Sequence, residues 1–267
     1  MNTSRPYMTG PLVTRTSLIE DLRREGLKEG MILCVHVSLS RLGFVVGGGR
    51  VVIDALVQVV GQGGSIMMPT FSGELSDPAE WKHPSVPSEW IPRIRDEMPP
   101  YDPALTPTRN MGVVPELFRH YPGVQRSPHP QSSFCAWGSH ARALVADHPL
   151  NNRFGPTSPL GALVEHGGAE SVLGAAPSTN SLLYLSTFGL ERRTAIRKSA
   201  PMLAEGKATW VPYDDVEYTN HWFDDLAAHL RALGIARCFK VGAADCWLFP
   251  ARETIAEATR WRRERNV

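Results

Sequence analysis

The run MILCVHV at residues 31–37 constrains this chain more than any other segment. A continuous apolar stretch of strand length, with no polar alternation, suits a strand covered on both faces, as in a parallel sheet packed between helices. Its neighbours make the same demand. Residues 17–26 read as a helix: Ser17 and Glu20 have capping-box spacing, Leu18, Ile19 and Leu22 share a face, and Gly26 ends it. Downstream, Gly47, Gly48 and Gly49 precede VVIDALVQVV at 51–60, which reads as a buried helix stopped at Gly61, and residues 65–68 read as the next strand. Such alternation predicts an α/β fold with helices layered on the sheet.

From 70 to 109 the texture changes. Recurrent prolines, among them Pro78, Pro84, Pro92 and Pro103, exclude long regular elements, whereas Trp81, Trp90 and Met98 argue against disorder. The segment is expected to be an ordered excursion over the core, able to wall a binding site. Beyond it, residues 113–119, 134–137, 141–146 and 171–175 continue the alternation. A strand at 207–213, a helix at 222–233, a strand at 238–243 and a basic helix from Arg252 complete the reading. No internal repeat is visible, and a chain of 267 residues with 42% hydrophobic content is expected to form one domain, 1–267.

Composition narrows the partners. With 28 basic against 27 acidic residues, the chain has no field to draw in nucleic acid or a membrane, so a small-molecule partner is expected. The oligomeric state stays open, a homodimer included. Cys34, Cys135, Cys238 and Cys246 form no CxxC pair and read as reduced, mostly buried thiols. The N-terminus lacks an apolar core of signal-peptide length and no stretch approaches about 18 apolar residues, so a cytoplasmic protein is expected.

Two motifs carry the reactive side chains: HVSLSRLG at 36–43 and RSPHP at 126–130. Each sets a histidine beside hydroxyls and an arginine, the materials for proton transfer and for holding an anionic cofactor. His36, His129, Ser38, Ser40, Ser127, Arg41, Arg109 and Arg126 form the candidate set, although a lone histidine is more often structural. Histidines and cysteines lack HxxxH, HExxH or CxxC spacing, so no metal is expected. There is no P-loop, no GxGxxG after a strand and no GxSxG.

These motifs, with VVIDALVQVVGQGGSIMMPTFS at 51–72, SDPAEW at 76–81, YDPALTPTRNMGVVPELFR at 101–119, YPGVQRSPHPQSSFCAWG at 121–138 and GPTSPLGALVE at 155–165, follow one another in an order that resembles the aminoglycoside 3-N-acetyltransferase family. The resemblance implies a single-domain α/β/α layered fold of the antibiotic N-acetyltransferase type, distinct from the GNAT acetyltransferases, and an acetyl-CoA-dependent N-acetyltransferase acting on an aminoglycoside-type amine. It implies a coenzyme A groove lined by Ser38, Leu39, Ser40, Arg41, Thr106, Arg109 and Gly112, with no metal. Asp77, Glu80, Glu116, Asp214 and Asp215 are the acids available to acceptor ammonium groups, with Asp77, Glu80 and Glu116 the expected substrate-binding set.

One departure stands out. Where the family carries N-T-x-L-H-L-A-E, this chain reads NSLLYLST at 180–187, so Tyr184 replaces the histidine associated with catalysis and Thr187 the glutamate. A phenol with a pKa near 10 is a poor general base at neutral pH. His129 is then expected to accept the proton, with Tyr184 positioning the reactants. Loss of a negative charge at 187 suggests a less cationic acceptor, kasugamycin being the example. The alternative is a catalytically silent homologue that binds acetyl-CoA without turnover.

Overall fold

The computed structural model describes residues 10–267. β1 (Leu12–Val13) and α1 (Arg15–Arg24) lead into β2 (Ile32–Val37), a short α2 (Leu39–Leu42), β3 (Phe44–Val45), α3 (Gly48–Val60) and β4 (Ser65–Pro69). The proline-rich stretch holds 3-10 turns and α4 (Ile91–Glu97). Then come α5 (Val113–Phe118), β5 (Gln125–Arg126), β6 (Phe134–Gly138), α6 (Ala141–Val145), α7 (Pro159–Glu165) and β7 (Ala169–Leu173). A 3-10 run, Ser181–Gly189, precedes β8 (Ala195–Ala204), β9 (Lys207–Val216), α8 (Phe223–Ala232), β10 (Arg237–Val241), β11 (Ala244–Pro250) and α9 (Ala251–Arg265).

The central sheet has the order β10-β11-β7-β2-β4-β6-β5. β2 lies in its middle, parallel to β4 and β7, where its unbroken apolar run requires it to be. Its side chains alternate: Leu33 and Val35 pack with Leu22 of α1 and Leu56 of α3 on one face, while Ile32 and Cys34 meet Leu160 and Leu163 of α7 and Leu182 on the other. α8 and α9 extend that second layer through Phe223, Leu226, Ala258 and Trp261. Each fully buried leucine contributes on the order of 2 kcal/mol, and the result is an α/β/α sandwich. No helix among the described residues is long and apolar enough to cross a membrane.

Three readings are corrected. α1 starts earlier than residue 17: Thr14 is the N-cap, its hydroxyl accepts from Ser17 N (3.1 Å), and Ser17 Oγ accepts from Thr14 N (2.9 Å). Ser17 thus closes the capping box rather than opening it. The strand expected at 238–243 ends at Val241, where a Gly242 turn with positive φ folds it onto β11. The strand at 207–213 extends to Val216 and pairs with β8 in a separate hairpin.

The proline-rich excursion is pinned rather than loose. The Arg126 guanidinium donates to Thr70 O (2.7 Å), Ser72 Oγ (2.9 Å), Ser133 Oγ (3.0 Å) and the carbonyls of Pro103 and Thr106, and it lies over the Tyr101 ring. Trp210 Nε1 donates to Arg95 O (2.7 Å), tying α4 to the β8–β9 hairpin. The arginine of RSPHP is a clasp.

Candidate active site

Two cavities meet beside the C-terminal end of β2. The first, about 800 Å³, runs from His36, Ser38, Leu39 and Ser40 to Gly112. Gly112 precedes α5 with φ near +84°, a conformation that favours glycine. The second, about 780 Å³, is walled by Trp81, Lys82, His83, Pro84 and Val86 of the excursion. Phe71, Asn110, Met111 and Tyr184 line both, so they form the junction. A donor in one cavity and an acceptor in the other would present their reacting ends to each other there, which removes much of the entropic barrier to a two-substrate transfer.

Tyr184 is fixed at this junction by aromatic packing. Its ring stacks on Phe154 (5.0 Å between centroids, 11°) and lies edge-on to Tyr218 (5.5 Å). Burial pushes its phenol pKa up, so it keeps its proton at neutral pH. The hydroxyl has no partner among the described residues and can donate to a substrate.

The other expected residues divide. Ser38, Leu39, Ser40 and Gly112 line the first cavity. Arg41 lies in an adjoining depression of about 790 Å³ that shares Ser38 and Ala175 with it, across which Arg231 also stands. Arg109 lines the second cavity instead, and Thr106 lines neither, its hydroxyl accepting from Asp102 N (2.9 Å). The expected acceptor acids are engaged elsewhere. Asp77 accepts from Arg95 Nη2 (2.7 Å) and Ala79 N (2.9 Å), and Glu80 pairs with Lys198. Burial opposes ionisation of Glu116, but hydrogen bonds from Arg119 and Thr108 hold its carboxyl down at about 2.

His129 does not sit where a base is needed. It is fully buried and lines neither cavity. Its Nδ1 accepts from Gln131 N and Ser132 N, both at 3.1 Å, so the proton of the neutral ring is on Nε2 and no lone pair remains to accept another. Burial, with His148 and Arg153 nearby, holds its pKa well below the usual imidazole value. The geometry assigns His129 to shaping the loop. Thr187 also faces away from both cavities, its hydroxyl accepting from the buried Arg262 (2.9 Å).

Two features escaped the sequence reading. Glu74, on a 3-10 turn of the excursion, is the one carboxylate among the described residues lining the second cavity, with Oε2 buried and unpartnered and its pKa raised by burial. Facing it are Lys82 and Arg109, together with Arg153 and Lys198, which are paired to Asp215 and Glu80. The second feature is a buried set, Cys34, His36 and Glu170, whose side-chain donor atoms lie within 4.8 Å of one another. A scan for motif spacing misses it because two strands supply it.

The layered sheet and the paired cavities suit a two-substrate transferase. Residues 34–263 match the sequence model of the aminoglycoside 3-N-acetyltransferase family, and the chain belongs to that family. It is an enzyme of the acetyltransferase class. The chain is 42% identical over 249 residues to an aminoglycoside N(3')-acetyltransferase-like protein, YokD, of Bacillus subtilis, covering 93% of this chain and 92% of that protein. The YokD crystal structure superposes with a TM-score of 0.92 at 41% identity, covering 95% of this chain and 94% of the other. Aminoglycoside N(3)-acetyltransferase VII of Streptomyces paromomycinus is 36% identical, over 96% of this chain and 93% of its own. A structure of AAC-IIIb in binary complex with CoASH matches with a TM-score of 0.84 at 31% identity, covering 96% and 98% of the two chains.

Proposed function

We propose that the protein transfers the acetyl group of acetyl-CoA to an amine of a small, weakly cationic aminoglycoside of the kasugamycin kind, and so confers resistance to it. The observation that carries this reading is the charge of the second cavity, where Glu74 is the single lining carboxylate and Lys82 and Arg109 are cations without an acidic partner among the described residues. An acceptor bearing several ammonium groups meets like charge there, which costs several kcal/mol at close range. An acceptor with one reactive amine can pair with Glu74 and leave the cations to its hydroxyls or to an acidic substituent.

In this reading the first cavity takes the pantetheine arm, with Ser38 and Ser40 as hydrogen-bonding partners. Arg41 and Arg231 in the adjoining depression suit the coenzyme phosphates. The amine attacks the thioester carbonyl at the junction, where the Tyr184 hydroxyl can donate to the carbonyl oxygen as negative charge develops. Four free thiols suit the reducing cytoplasm, the location we assign to the reaction.

The test is mass spectrometry of an acceptor panel incubated with acetyl-CoA. We expect kasugamycin to gain one acetyl group only when protein and donor are both present. A panel in which no amine is acetylated, while acetyl-CoA still binds, would identify a silent homologue and contradict the reading.

A further inference from the structure

β2 and β7 run parallel with Cys34 opposite Glu170 and His36 opposite Val172. The period of two therefore puts Cys34, His36 and Glu170 on one face of the sheet, beneath Ser181–Gly189. Glu170 is fully buried, and an unpartnered carboxylate there would cost several kcal/mol. Its Oε2 accepts from Leu182 N (2.9 Å) and its Oε1 lies 2.9 Å from His36 Nε2. That contact is not aligned as a hydrogen bond, and no other group satisfies either atom. His36 alone of the three lines the first cavity. Its Nε2 is buried against Glu170, which leaves Nδ1 as the nitrogen available to the cavity. Burial and the neighbouring carboxylate keep Cys34 a thiol. The remaining titratable group facing this pocket is Tyr184.

We propose that His36, oriented by Glu170, is the proton acceptor of the acetyl transfer. The proposal rests on the transferase reading above. The amine nitrogen forms a bond to the thioester carbonyl carbon, and the proton it sheds passes to His36 Nδ1. The imidazolium so formed turns its Nε2–H into line with Glu170 Oε1. The C–S bond then breaks, coenzyme A leaves as thiolate, and His36 returns the proton to that sulfur. The products are the N-acetyl amide and free coenzyme A. His36 is the catalytic residue and Glu170 a positioning residue.

The experiment compares steady-state kinetics of His36→Ala, His36→Gln, Glu170→Gln and the His36→Ala/Glu170→Gln double variant on an acceptor the wild type acetylates, with acetyl-CoA binding measured by calorimetry. Both His36 variants should lose about 10²–10⁴-fold in kcat with donor affinity unchanged, and added imidazole should restore part of the rate of His36→Ala. Glu170→Gln should lower kcat in the wild-type background and cost nothing further in His36→Ala, because its effect runs through the imidazole. A kcat within about threefold of wild type in folded His36 variants would overturn the proposal. So would a loss matched by an equal loss of donor affinity, or stoichiometric zinc on Cys34, His36 and Glu170 whose removal abolishes turnover. Absence of wild-type turnover with every acceptor would strike the transferase reading, and this proposal with it.

Discussion

The His129 and His148 rings lie tilted at 41° with centroids 4.7 Å apart, His129 held neutral by two backbone donors to Nδ1 and His148 by its burial. Phe134 N donates to Ser127 Oγ, Ser127 Oγ donates to His148 Nδ1 (2.8 Å), and His148 Nε2 donates to Arg153 O (2.8 Å). A second proton on Nδ1 would reverse the bond to Ser127 and leave its hydroxyl hydrogen without that partner, and burial lowers the His148 pKa to about 4. The sign follows. A base depressed in the folded state takes up its proton more readily when unfolded, so stability is intact above about pH 6.5 and falls towards pH 4. For His148 the loss is about 3 kcal/mol, and His129 adds to it. Denaturant titrations at a series of pH values should show this acid limb, and His148→Gln, which does not titrate, should flatten much of it while lowering stability at pH 8. An unchanged limb in that variant would show that the pair is not its source.

Among the elements, the excursion of residues 70–109 connects packing to specificity. Arg126→Ala removes the donor to the buried Thr70 carbonyl, the Ser72 and Ser133 hydroxyls and the Pro103 and Thr106 carbonyls at once, which should cost about 2 kcal/mol or more of stability. It should also raise the acceptor KM several-fold while leaving acetyl-CoA affinity near wild type, because the excursion lines the second cavity from Gly73 to Val86 and only Phe71 also reaches the first. Equal effects on both substrates in two-substrate kinetics would contradict that division of labour. The elements themselves were legible in the sequence where burial was extensive: β2 and β4 show it as apolar runs, and α3 as a mainly apolar stretch interrupted by Asp54 and Gln58 on its outer side. The β8 strand, AIRKSAPMLA, has no such run because it is one arm of a hairpin outside the central sheet. β11 was hidden because its two-residue turn at Gly242 leaves no gap between strands and its end runs straight into α9. The site was legible only in part. HVSLSRLG revealed the first cavity, since a loop at a strand end keeps its neighbours in sequence close in space. The Glu170 contact to His36 depends on the register between distant strands, and Glu74 differs from any solvated acid only once the excursion has folded over it.

At the scale of the whole molecule, a near-neutral net charge conceals an uneven distribution, with the second cavity carrying a local cation excess. In the proposed function that excess, and not residue 187, sets the acceptor class, because Thr187 lies beside Arg262 away from both cavities. The most direct measurement is the ratio of kcat/KM for kasugamycin to that for gentamicin under the same acetyl-CoA concentration. The account predicts a ratio of about 100 or more, equivalent to roughly 2.7 kcal/mol of transition-state discrimination against the polycation. Gentamicin acetylated as efficiently as kasugamycin would contradict it.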